Sequence, residues 1–346
     1  MKAVVKLREG PGHLALQDVQ VPEIKPHEVL VKIRGTGLCG TDALIYKWTY
    51  RGKAPVPTPI ILGHEAAGEI AEIGAAVKNV KVGDRVALDA LIGCGQCYYC
   101  RRGRAFNCPD WEHLGISYDG TFAEYVAQPG TGVRTLPDGL AWEDTAFLEL
   151  AACVAHTMER ITIEAGDRVV IIGPGPLGIL HLMVAKSAGA WQVIVIGTDG
   201  DDQRLELAKK LGADLVLNES ELDEVAAVRD FTAGLGADVV IETANTPRAV
   251  GTAFRIGRSG ATLVFMGFAK SAQYDHLAAV RNCFNVQYVL GGVGRHVEKA
   301  VHWIESGKVL PSRLITHRIK LNEAEKGFHE MVSRRATKVY IDMEGT

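Results

Sequence analysis

The sequence predicts an α/β protein in two domains: one mainly of β-strands, the other a doubly wound parallel sheet. Three observations predict it. The chain has 346 residues, above the size at which a single core usually stops growing. From residue 1 to about 147 it reads as short β-branched runs broken by Gly and Pro, the texture of strands joined by tight turns. From about 166 the texture becomes apolar run, glycine turn and amphipathic stretch, then repeats; that alternation implies parallel strands with crossover helices.

Taken in order, residues 29–33, 69–73 and 84–88 are the clearest strands of the first part. Residues 168–172 form a continuous apolar run after Arg168, suited to a strand covered on both faces. A helix is predicted over 177–188, a strand over 193–196 and a helix over 203–211. Strands follow at 239–241 and 262–266, a helix at 297–305, and a last strand around 338–342.

Composition narrows the function. Hydrophobic residues make up 47%, charged residues 23%, and the formal net charge is −3, so nothing draws the chain electrostatically to nucleic acid or anionic lipid. The longest apolar stretches are strand-length, too short to span a bilayer. Met1–Leu7 has no secretory pattern, and a cytoplasmic location is expected. There are seven cysteines, four of them in one short stretch; an odd, clustered set points to metal rather than disulfides.

Gly173-Pro174-Gly175-Pro176-Leu177-Gly178 fits G-x-G-x-x-G, with an apolar run before it and a helical one after. In that context the glycines allow a tight turn and let backbone N–H groups approach a pyrophosphate at a helix N-terminus. An acid near the end of the second strand would then bind the adenosine ribose, and Asp199 stands there. Gly197 and Thr198 before it could leave room for a 2′-phosphate, but Asp199, Asp201 and Asp202 would repel one. NAD is therefore expected with NADP possible, and Arg204 is placed beside the site.

Cys94-x2-Cys97-x2-Cys100-x7-Cys108 offers four thiols to one ion. Four thiolates in tetrahedral array are what structural zinc prefers, and they leave no open position for substrate. Two further segments carry ligand-type residues: Gly37-Leu38-Cys39-Gly40-Thr41-Asp42 and Gly63-His64-Glu65-Ala66-Ala67-Gly68.

The run Gly63-His64-Glu65-x2-Gly68-x5-Gly74-x2-Val77 resembles the signature of the zinc-containing medium-chain alcohol dehydrogenases. The Cys-Gly-Thr-Asp segment, the cysteine loop and the glycine turn follow in the family's order, so the resemblance covers nearly the whole chain. It lies nearest the threonine 3-dehydrogenase and sorbitol (polyol) dehydrogenase branches. It implies a GroES-like catalytic domain over 1–149, completed by 292–346, and a Rossmann domain over 150–291. It implies two zinc ions per chain, a small hydroxylated substrate, and a homodimer or homotetramer without nucleic-acid or membrane partners.

By the same resemblance Cys39 and His64 match ligands of the catalytic zinc. The third is Glu149, seven residues before His156-Thr157, with Cys153 one helical turn on as a competitor. Glu65 matches a carboxylate that reaches the zinc directly or through its water. Asp42 matches the carboxylate that orients the ligating imidazole, and Thr41 the hydroxyl that takes the substrate proton. Two positions depart from the family pattern: Leu44 where a histidine often passes the proton to solvent, and Leu91 where the threonine branch carries a histidine. Tyr46, Trp48 and Arg295 are candidates for shaping the substrate pocket, or for packing. The implied activity is oxidation of a secondary alcohol or polyol, with L-threonine 3-dehydrogenase as the nearer rival. A zinc-free quinone reductase-like or non-enzymatic relative is the rival from another class.

Overall fold

A computed structural model describes residues 1–52 and 55–344. The chain divides into two compact units, Met1–Ala152 with Gly291–Thr346, and Cys153–Leu290.

The first unit is built on a seven-stranded sheet. Its longest strand, Glu28–Leu38, pairs antiparallel with Glu65–Ile73, with Tyr125–Pro129 and with the late strand Lys338–Asp342. Side chains alternate across a strand, and the inward set of Val29, Val31, Ile33 and Leu38 packs with Ile70, Val86, Phe122, Phe328 and Val339 in one core. The late strand puts Val339 opposite Leu38 and Tyr340 opposite Gly37. A segment some 300 positions downstream thus lies beside the residues just before Cys39.

The second unit carries six parallel strands in the order 215–218, 192–197, 168–172, 237–242, 257–265 and 285–288. Val169 to Ile172 and Val193 to Ile196 are almost wholly buried, as β-branched runs between two helical layers must be. The predicted helix over 177–188 runs Pro176–Ala188. It gains its first residue because proline fits N1, where the missing N–H has no intrahelical partner. The strands Leu215–Asn218 and Asn285–Tyr288 were not anticipated, being four residues each and half-exposed. No helix among the described residues is long and apolar enough to cross a membrane.

Candidate functional site

Cys39 is the N-cap of the short helix Gly40–Tyr46. Asp42, three residues on, turns back so that its Oδ2 accepts the backbone N–H of Cys39 at 2.9 Å. Its other oxygen, Oδ1, lies 3.6 Å from Nδ1 of His64, with both side chains buried. That gap is longer than a hydrogen bond. Both atoms are buried and otherwise unpartnered, so they face each other with unspent polarity. Burial pushes the Asp42 carboxyl up against the pull of His64. Burial would lower His64, but the Asp42 carboxylate and then the hydrogen-bonded Cys39 sulfur outweigh it and hold it well above its ordinary value.

Glycines make room for this histidine. Gly63 sits at φ +95°, and a Cβ there would strike the Phe122 ring and Thr121 Oγ1. A Cβ on Gly115 or Gly120 would collide with the Gly63 carbonyl. Two stretches of chain, around 63 and over 115–120, therefore close around position 64 only because these residues lack side chains.

Glu65 opens its strand opposite Gly37, again too close for a Cβ. Its Oε1 accepts a 2.7 Å hydrogen bond from Lys338 Nζ, which also donates to the Leu38 carbonyl at 3.0 Å and lies 5.0 Å over the Phe147 ring. Glu65 and Lys338 are both at most 1% exposed. Burial alone would lower Lys338, yet Glu65 and then Cys39 raise it, so the lysine stays charged. Glu149, second in the helix Leu148–Arg160, raises both His64 and Lys338 by its charge. It therefore lies within electrostatic reach of the same cluster. Thr41 is half-buried beside Asp42, and Leu44 is 42% exposed. A soft sulfur, a buried imidazole backed by a carboxylate, and a further carboxylate form a donor set suited to zinc.

His113, which sequence reasoning passed over, packs its ring edge-on to His64, with centroids 5.0 Å apart. The short strands Leu91–Ile92 and Glu112–His113 pair antiparallel with Leu91 directly opposite His113. Facing residues of such a pair share one side, so an imidazole stands across the ladder from Leu91. Burial and then the charge on His64 hold His113 down to about 3, leaving the ring neutral. Lys338 and His113 gave no local signal, since a lysine or a histidine in a strand normally faces water.

All seven cysteines of the chain are free of disulfides, the four of the cysteine loop among them. The sulfurs of Cys94, Cys97, Cys100 and Cys108 lie within 4.8 Å of one another. Backbone N–H groups point at them: Cys94 and Asp110 donate to Cys108 Sγ, at 3.4 and 3.3 Å, and Cys100 to Cys97 Sγ at 3.4 Å. The Cys100 N–H is the chief cause that pulls Cys97 down to about 7, easing formation of the thiolate a metal requires. Arg295 donates to the Gly103 carbonyl of this loop at 2.7 Å. Tyr46 stacks on Phe328 at 5.0 Å, and Trp48 lies under the Lys6 ammonium.

In the second unit Gly173 takes φ +105°, and Gly178 could bear no Cβ against the Gly173 carbonyl. Gly175, the helix N-cap, has open space where its Cβ would be. Pro176 and Leu177 begin the helix behind it. The turn is braced by Thr243, whose hydroxyl donates to the Gly173 carbonyl at 3.0 Å. Buried Glu242 accepts the N–H groups of Ala244 and Asn245 at 2.7 and 3.0 Å. Asp199 is exposed just past the second strand, with Asn218 Nδ2 3.4 Å from its carboxylate. Arg204 pairs with Asp201 at 3.2 Å. A Cβ on Gly197 would be crowded by Pro174, Leu205 and Asp201.

Comparison with known proteins agrees across the chain. Residues 25–138 match the alcohol dehydrogenase GroES-like domain, and 176–306 match the zinc-binding dehydrogenase domain. The chain is 35% identical to a sorbitol dehydrogenase of Halalkalibacterium halodurans, covering 99% of each. It is also 35% identical to an L-threonine 3-dehydrogenase of Pyrococcus horikoshii, over 98% of this chain and 97% of the other. An alcohol dehydrogenase from Thermus sp. ATN1 superposes with a TM-score of 0.91 at 27% identity, covering 99% of both chains.

Proposed function

This chain belongs to the zinc-containing medium-chain alcohol dehydrogenases, and from that premise we propose how its residues carry the activity. It is a zinc-dependent, NAD(P)-linked oxidoreductase of alcohols and polyols. Cys39, His64 and Glu149 would hold the catalytic zinc, with Glu65 beside it and Cys153 the alternative third ligand. The observation that carries this reading is the buried, mutually facing pair of Asp42 Oδ1 and His64 Nδ1 next to Cys39, because a metal-bound imidazole turns its other nitrogen to such a carboxylate.

Zinc bound there would supply Lewis acidity that brings a substrate hydroxyl's pKa toward neutrality, and nicotinamide would accept the hydride. The remaining work falls to the chain. Asp42 would fix the imidazole, and Lys338 holds the Glu65 carboxylate. Thr41 would take the hydroxyl proton, and Leu44, which cannot titrate, supplies no histidine to pass that proton on. The turn Gly173 to Gly178 would receive the pyrophosphate at the helix N-terminus. Asp199 would accept from the ribose hydroxyls, which favours NAD over NADP. Cys94, Cys97, Cys100 and Cys108 would hold a second, structural zinc.

The substrate is a secondary alcohol or polyol. The second reading, oxidation of L-threonine, is favoured by equal identity to a threonine 3-dehydrogenase. Metal analysis together with a substrate panel and both nicotinamides tests these readings. Two zinc ions per chain and NAD-linked turnover of a secondary alcohol are expected; turnover confined to threonine overturns the substrate reading. Self-association fits the strand Asn285–Tyr288, which among the described residues pairs on one side alone. Tyr288, which ends that strand, is 72% exposed, and an unpaired strand edge with an exposed aromatic is one that a second copy would cover. A monomer by light scattering at micromolar concentration contradicts it.

A further inference from the structure

We propose that Glu242 and Asn245 are positioning residues for the nicotinamide half of the cofactor. They tie the turn that follows the strand Ala237–Glu242 to the turn that follows Gly257–Phe265, and that joined backbone is the bed for the nicotinamide riboside. The inference rests on the reading of Gly173–Gly178 and Asp199 as the pyrophosphate and adenosine-ribose sites, and adds the opposite end.

Topology fixes the place. In the sheet of the second unit the first strand, Arg168–Ile172, lies between the second, Gln192–Gly197, and the fourth, Ala237–Glu242. Chain order therefore reverses at the first strand, and a dinucleotide stretches across the carboxyl ends of the strands at such a point. With the adenosine ribose past the end of the second strand, the other half extends over the ends of the fourth and fifth. Glu242 stands there, level with Ile172 on one side and with Phe265 on the other.

Four consecutive residues brace this edge. Glu242, fully buried, accepts the N–H groups of Ala244 and Asn245 on Oε1, and its carbonyl accepts the Met266 N–H at 3.0 Å. Asn245 takes the left-handed conformation at φ +62°, and its Oδ1 accepts the Phe268 N–H at 2.6 Å. Between those two bonds, a Cβ on Gly267 would strike both Glu242 carboxylate oxygens and the Asn245 nitrogen. The second turn therefore lies directly on the first. Thr243 works in the other direction, donating to the Ile172 and Gly173 carbonyls at 3.2 and 3.0 Å. One segment thus serves both ends of a dinucleotide: Thr243 the glycine turn, Glu242 and Asn245 the turn at 266–268. Hydride transfer is unforgiving of position, since an error of about 1 Å costs about a hundredfold. A turn pinned by a buried carboxylate and a side-chain amide holds its place.

The experiment measures NADH and ADP binding to the zinc-loaded enzyme and its variants by calorimetry; ADP carries the adenosine and the pyrophosphate and lacks the nicotinamide riboside. Asn245→Gly keeps the left-handed backbone and removes only the side-chain amide. It is expected to weaken NADH about five- to tenfold, the worth of one hydrogen bond, and ADP by less than about twofold. Asn245→Asp keeps the Oδ1 acceptor and should recover part of the loss. Glu242→Ala should act in the same direction as Asn245→Gly, and the two Asn245 variants decide the matter if it does not fold. Thr243→Val, by contrast, should weaken both ligands alike. Equal weakening of NADH and ADP by Asn245→Gly, no change in either, or a loss that Asn245→Asp leaves whole overturns the positioning role and leaves the nucleotide site standing. A wild type that binds neither ligand overturns the reading of the glycine turn and Asp199 as well.

Discussion

The two candidate metal centres of the first unit are built in opposite ways. The cysteine loop takes its four sulfurs from fifteen consecutive positions, is half-exposed at three of them, and is aligned by N–H groups of its own backbone. The Cys39–His64 cluster draws on five stretches of chain around positions 39, 64, 113, 149 and 338, and most of its charged groups are buried. The difference teaches what each can do. A loop that surrounds its ion closes every position and staples the chain. A cluster assembled from several elements can leave one side open while charges further out set the ligands.

That contrast breaks most sharply at Cys39. Cys39→Ala is expected to lower kcat/KM by about a thousandfold or more, the scale of several kcal/mol lost with Lewis-acid stabilisation. Its NAD affinity, read by fluorescence titration, should stay within about threefold, because Cys39 and the glycine turn Gly173–Gly178 belong to different units. A parallel collapse of NAD binding would show that the two functions are not separable.

Lys338→Met strips the partner from a fully buried carboxylate. A loss of about 3–5 kcal/mol in urea unfolding is expected, the cost of an uncompensated buried charge. Because the lysine's pKa is raised in the fold, its contribution is complete below its unfolded pKa and fades as pH climbs through the folded value. The gap between wild type and variant should therefore narrow as pH climbs into alkali. A gap that stayed constant from neutral pH through strong alkali would refute the pairing.

Asp42→Asn keeps the shape and removes the charge facing His64. Loss of zinc to a chelator should be about 10–100 times faster than in wild type, the usual effect of an outer carboxylate, and only one of the two ions should be affected. Cys100→Ser sharpens the other side of the comparison. One zinc per chain should be lost, and proteolysis around residues 98–103 should rise. Turnover per folded molecule should fall by less than about tenfold, because a structural ion adds folding energy and no open position. A thousandfold loss would erase the distinction between staple and catalyst.

Legibility followed the same division. The cysteine loop was readable because its spacing is its geometry. The glycine turn was readable too: a G-x-G-x-x-G between strand and helix admits few conformations, and Gly173 and Gly178 adopt the tight approach it implies. Cys39, His64 and Glu149 were visible only through resemblance, since nothing in three separated stretches states that they meet. Arg204 was placed beside the cofactor by proximity in sequence; the fold pairs it with Asp201.

By itself the sequence determined the alternation of elements, the parallel sheet, the nucleotide turn and the thiol loop, because each depends on periodicity or spacing within a few dozen residues. Tertiary structure alone decided that Lys338 neutralises Glu65 and that His113 stands against His64. Both pairings depend on strand register and on glycine-tight contacts between distant segments. A local pattern carries no record of which remote backbone will lie beside it.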